Sequence, residues 1–85
     1  MKNSVKDEMA RWIKAVRLEQ GLSQRKASAK TGLSRRQIAK YESGRPIPLF
    51  RMVQLFSGYR VNPQVVVTKI LQVQNQARLS TRPKD

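Results

Sequence analysis

The chain has 85 residues, with 18 Lys+Arg against 5 Asp+Glu and a formal net charge of +13. It contains no Cys and no His, which excludes disulfides, thiolate zinc sites and thiol or imidazole catalysis. At this length the chain forms one domain, its 39% apolar content is that of a globular protein, and no stretch approaches the roughly 20 apolar residues of a membrane span. No apolar segment follows Met1, so a cytoplasmic location is expected.

The first helix is expected over Ser4 to Gln20, where Val5, Met9, Trp12, Ile13 and Val16 recur at helical spacing. Ser4 can cap it, with Asp7 and Glu8 in the first turn, where the helix dipole favours negative charge. Gly21 ends it and Leu22 follows as the usual apolar residue after a C-terminal glycine. Ser23 caps a short second helix, Gln24 to Lys30, and Thr31-Gly32-Leu33 forms a tight turn. Ser34 and Gln37 form a capping box that opens a third helix, closed by Gly44.

A fourth helix runs from about Pro48 to Tyr59, with Met52, Val53, Leu55 and Phe56 among its apolar residues. Asn62 and Pro63 begin a fifth, in which Val66, Ile70, Val73 and Ala77 form a stripe at spacings of four, three and four. A strand at Val65 to Thr68 is the competing reading of that β-branched run, and the continuing stripe favours the helix. Val67 and Leu71 are assigned to the monomer core, and residues 78–85 to a basic flexible tail.

Charge is concentrated. Between Gln24 and Arg45 lie Arg25, Lys26, Lys30, Arg35, Arg36, Lys40 and Arg45, with Glu42 the one acid. A polyanion suits such a stretch better than a membrane surface, since Trp12 lies outside it. At about 100° per residue, Arg35, Ala39, Ser43, Arg36 and Lys40 fall on one side of the third helix, while Ile38 and Tyr41 face the other. A major groove admits one such helix, and Arg or Lys on guanine is the commonest base-specific contact there.

Two short helices joined by Thr31-Gly32-Leu33-Ser34, the second basic on its outer face, have the form of a helix-turn-helix. The segments Ile13-Lys14-Ala15-Val16-Arg17, Gly21-Leu22-Ser23-Gln24, Thr31-Gly32-Leu33-Ser34, Ile38 and Tyr41-Glu42-Ser43-Gly44-Arg45 resemble the phage-repressor and Cro-like (XRE) helix-turn-helix family over roughly residues 9 to 62. The resemblance implies an all-α, five-helix DNA-binding domain at residues 1–77, with the helix-turn-helix at 23–43 and a dimerisation helix at 63–77. It also implies that Arg35, Arg36, Lys40 and Ala39 face base edges, and that Gln24, Arg25, Lys26, Ser34, Ser43 and Arg45 lie along the DNA backbone. Arg17 and Glu42 correspond to a structural ion pair of the family. Two departures stand out: Ala27-Ser28 replaces a usual Leu-Ala, and Phe56 replaces a small residue, which allows an exchange of core volume.

The function expected from the resemblance is a sequence-specific double-stranded DNA-binding transcriptional regulator, a repressor binding an inverted repeat as a homodimer. The stripe Val66, Ile70, Val73 and Ala77 serves either as the dimer face or as monomer core against Trp12 or Phe50. No cofactor, metal, membrane or small-molecule ligand is expected, and the location would be cytoplasmic on the nucleoid. The alternatives are a basic RNA-binding or ribosome-associated protein, or the DNA-binding subunit of a larger complex such as an antitoxin or recombination accessory factor. An enzyme is disfavoured, because the sequence offers no nucleophile–base constellation.

Overall fold

The computed structural model describes residues 5–80, with side chains over 5–76. The elements in chain order are α1 (Val5–Glu19), α2 (Gln24–Thr31), α3 (Arg35–Glu42), α4 (Leu49–Gly58) and α5 (Pro63–Ser80). The run at Val65 to Thr68 is helical, and α5 continues three residues past the expected boundary at 77. Ser4, expected as the first cap, and residues 81–85 of the expected tail lie outside the described residues.

Local chemistry sets the boundaries. α1 ends where Gly21 adopts φ +69 and the Leu22 N–H reaches back to the Arg17 carbonyl at 3.2 Å, a left-handed closure that glycine takes without strain. Ser23 Oγ accepts from the Lys26 N–H and caps α2. Ser34 and Gln37 form the reciprocal capping box of α3, each side chain bonded to the other's backbone N–H. Pro48 occupies the N-cap of α4 rather than its first turn.

The core gathers residues from α1 to α4: Ile13, Ala27, Leu33, Ile38, Leu55 and Tyr59 are among those almost wholly buried. Trp12 stacks on Phe56 with ring centroids 4.8 Å apart, and Tyr59 meets Phe56 edge-on at 6.4 Å. Ala27 and Phe56, the two departures from the family pattern, are both buried in this one cluster. α5 lies against α1.

That placement favours monomer core, one of the two readings left open for the stripe, and corrects the assignment of Val67 and Leu71. Val73 is 3% exposed, so it is sealed within the single chain and does not belong to an open face. Val66 packs against the core and Ile70 is half-buried, while the side chain of Ala77 lies outside the described set. Val67 and Leu71 show the opposite: they are 54% and 57% exposed, and Phe50 is exposed as well. The cause is that α5 carries apolar residues on more than one side, and contact with α1 selects the side holding Val73.

α2 and α4 approach closely at Gly58. A Cβ there would stand 2.6 Å from Thr31 Cα and 2.8 Å from Thr31 Cγ2, with the Lys30 carbonyl oxygen at 2.9 Å. α4 then closes through Arg60, whose φ of 59 is left-handed, with the Val61 N–H bonded to the Phe56 carbonyl at 3.0 Å. Gln54 bridges to the Thr31 carbonyl at 3.1 Å and adds a polar tie beside the contact. Gly58→Ala should therefore lower stability by about 1–3 kcal/mol, the range for overpacking, when followed by urea unfolding. An unchanged midpoint would show that the two helices separate freely.

Candidate nucleic-acid interface

The site is built around Glu42, at the C-terminal end of α3. Its side chain is 4% exposed, and the Arg17 side chain facing it is 8% exposed. Arg17 Nε donates to Glu42 Oε2 at 2.7 Å and Arg17 Nη2 donates to Oε1 at 3.0 Å, the bidentate fork that suits Arg and a carboxylate. Gln24 Nε2 donates to the same Oε1 at 3.2 Å, and Arg17 Nη1 donates to the Leu22 carbonyl at 2.8 Å. One buried carboxylate thus holds α1, the start of α2 and the end of α3 together. The Arg17 guanidinium is raised above its ordinary pKa, first by its hydrogen bond to Glu42.

This clamp fixes which side of α3 is outward. Ile38 and Tyr41 are buried, while Arg35, Arg36 and Lys40 are exposed and Ala39 is half-buried. Arg25 and Lys26 on α2 are exposed, as are Ser34, Ser43 and Arg45 around α3. Ser34 acts as the N-cap, and Ser43 Oγ donates to the Lys40 carbonyl at 2.7 Å. Gln24 is half-buried, with one amide hydrogen given to Glu42 and the second left over. Lys30 on α2 is exposed as well.

Sequence reasoning did not reveal the further ties around the site. Ser28 Oγ donates to the Leu33 carbonyl at 2.6 Å and Thr31 Oγ1 accepts from the Leu33 N–H at 3.2 Å, stiffening the turn between α2 and α3. Gln20 Nε2 donates to the Tyr59 carbonyl at 2.7 Å. Tyr59 is 1% exposed and its hydroxyl finds no partner among the described residues. Burial first, and then the Glu42 charge, push its pKa up to about 12. Spacing marks Tyr59 only as apolar, so nothing in the sequence announces an unsatisfied phenol.

A second feature is apolar. Between α4 and α5 runs a groove of about 180 Å³ lined by Leu49, Val53, Phe56 and Val67 among others. Among the described residues no helix is long and apolar enough to cross a membrane, and no cluster of acidic residues is suited to a metal ion.

This geometry, a capped pair of short helices with the second one's basic side outward, defines a helix-turn-helix protein. The family model described as helix-turn-helix matches residues 13–66, and the chain belongs to that family, of the XRE type. It is a DNA-binding transcriptional regulator. Among solved structures it is similar to the wild-type restriction-modification controller protein C.Esp1396I, with a TM-score of 0.74 and 21% identity over 88% of this chain and 99% of that one. A tyrosine-to-phenylalanine mutant of the same controller gives a TM-score of 0.73 and 20% identity over 98% of this chain and 100% of that one. Comparison with curated proteins gives no match.

Two outcomes are expected from the clamp and its neighbour. Glu42→Ala leaves the Arg17 charge buried and alone, and should lower stability by about 3–5 kcal/mol in urea titrations, whereas replacing both residues by apolar ones of similar size should lower it less. Tyr59 is the other. Because its folded pKa lies above the unfolded value of about 10, its neutral form adds stability below pH 10 that is lost as pH rises through about 12. Alkaline unfolding should therefore be shallower in Tyr59→Phe than in the parent.

Proposed function

We propose that the chain is a sequence-specific repressor that binds an inverted-repeat operator in double-stranded DNA as a homodimer. The observation that carries this reading is the exposed basic side of α3, clamped from behind by Arg17 and Glu42. In it, the N-terminal half of α3 enters the major groove, Arg35, Arg36 and Lys40 face base edges beside Ala39, and Gln24, Arg25, Lys26, Ser34, Ser43 and Arg45 lie along phosphates. The second amide hydrogen of Gln24 suits a phosphate oxygen. The two recognition helices of the dimer would stand about one DNA turn, ~34 Å, apart.

The dimer face proposed here differs from the stripe suggested by spacing. Leu49 and Val53 on α4 are 74% and 60% exposed and share the groove with exposed Val67, and Leu71 stands one turn beyond it on α5. Rows of apolar side chains left open around a groove are the usual mark of a protein contact. A second copy of the chain is the occupant that an inverted repeat requires. The likeness to C.Esp1396I over nearly all of its length supports a narrower reading, control of restriction-modification genes. A genomic footprint beside such genes tests that reading.

Selection of bound duplexes from a random pool, with RNA as competitor, tests the main reading. Enrichment of an inverted repeat is expected, and preference for RNA would contradict it. On the selected duplex Arg35→Ala and Arg36→Ala should each lose about 1–3 kcal/mol and relax base preference, while Lys26→Ala weakens all duplexes alike. Val53→Asp and Val67→Asp should each give a monomer in sedimentation and reduce operator affinity. A dimer that survives both changes would place the interface elsewhere.

A further inference from the structure

Leu49 and Val53 lie on one side of α4, and at about 100° per residue Arg51 falls on the opposite side of the same helix. The Arg51 side chain is half-buried and held at two points. Its Nη1 donates to Gln54 Oε1 at 3.0 Å, and its guanidinium lies over the Phe50 ring, 4.8 Å from the centroid. Gln54 keeps that oxygen toward Arg51 because its Nε2 donates to the Thr31 carbonyl at 3.1 Å, and a carbonyl only accepts. The bracing continues into the turn between α2 and α3, where a Cβ on Gly32 would stand 3.0 Å from Gln54 Nε2.

Neither partner neutralises the charge. The amide oxygen is neutral, and the Phe50 ring offers only its π face and is itself 65% exposed. The first turn of α4 holds no acidic residue, although the helix dipole favours one there. The bond to Gln54 uses one of the five N–H donors of a guanidinium. A cation so fixed in direction, with its charge kept, suits an anion from outside the chain.

The course of the chain indicates which anion. It leaves the end of α3 at Arg45, whose N–H bonds the Lys40 carbonyl, and by Gln54 it has returned to the turn that precedes α3. Arg51 therefore flanks the start of α3, which Ser34 caps and which carries Arg35 and Arg36. A helix start lying in a major groove is bordered by the phosphates of the two strands.

Resting on the reading of α3 as a major-groove helix, we propose that Arg51 is a DNA-phosphate contact, which extends the interface past the helix-turn-helix and its following loop onto α4. Gln54 is its positioning residue. By holding both the Thr31 carbonyl and the guanidinium, it ties this phosphate contact to the turn that sets where α3 begins.

The test follows Kd against salt concentration for the full chain on the duplex most enriched from a random pool. Each phosphate contact adds about 0.9 to the slope of log Kd against log salt, so Arg51→Gln should lower the slope by about that amount. It should also weaken binding about threefold or more at about 0.1 M salt, with the preferred bases unchanged. Arg51→Lys keeps the charge and should restore most of the slope. Methylphosphonate, which is uncharged, then replaces one phosphate at a time across a half-site. At one position it should weaken the parent about threefold or more and leave Arg51→Gln unaffected. A variant with the parent's slope, even one with a lowered unfolding midpoint, overturns the inference and leaves the major-groove reading intact. So does a methylphosphonate series to which parent and variant respond alike. A pool that yields no enriched duplex overturns both.

Discussion

A carboxylate taken out of water must be met by charge and hydrogen bonds, and Glu42 receives three hydrogen bonds from two residues. Arg17 brings α1 to it, Gln24 brings α2, and Glu42 itself ends α3. Through Arg17 the same node reaches the Leu22 carbonyl in the turn after α1. Each of these elements is short, and α2 and α3 have eight residues apiece, too few to be stable helices alone. Their mutual angle is therefore set by packing around Ile38 and Leu33, by the bonds of Ser28 and Thr31 to Leu33 in the turn between them, and by this polar node. Because rotation of α3 would tear Glu42 from Arg17, the side that carries Arg35, Arg36 and Lys40 is held outward before any DNA arrives. Ordering in advance spares the loss of conformational entropy on binding.

The node also changes how the charge of the chain is understood. A net charge of +13 promises affinity for any polyanion. Specificity needs cations whose direction is fixed, and those on α3 are carried by a helix held by Glu42 at its end and by the Ser34–Gln37 capping box at its start. The cations of α2 and of the loop after α3 are exposed outside that helix, which fits phosphates better than bases.

Much of this was legible in the sequence, because α1 to α3 are punctuated by residues with clear local meaning. Gly21, Ser23, Gly32, Ser34 and Gln37 act through turn and cap geometry that neighbours in sequence decide. The second half of the chain was less legible. Gly58 resembles a helix terminator, yet it is small because Thr31 lies against it, and the left-handed position falls to Arg60 instead. α5 has apolar residues around much of its circumference, so periodicity alone does not choose between the side that meets α1 and the side left open. Tertiary contact decided it, placing Val73 inside and Val67 and Leu71 outside.

The central claim is that a buried Arg17–Glu42 pair holds the basic side of α3 toward the major groove. A crystal structure of the chain on its selected duplex measures this directly. The account predicts Arg35 or Arg36 nitrogens within about 3 Å of guanine N7 or O6, with the Arg17–Glu42 bonds unbroken. A complex in which α3 lies outside the groove, or in which Glu42 has left Arg17 to meet a base amine, would contradict it.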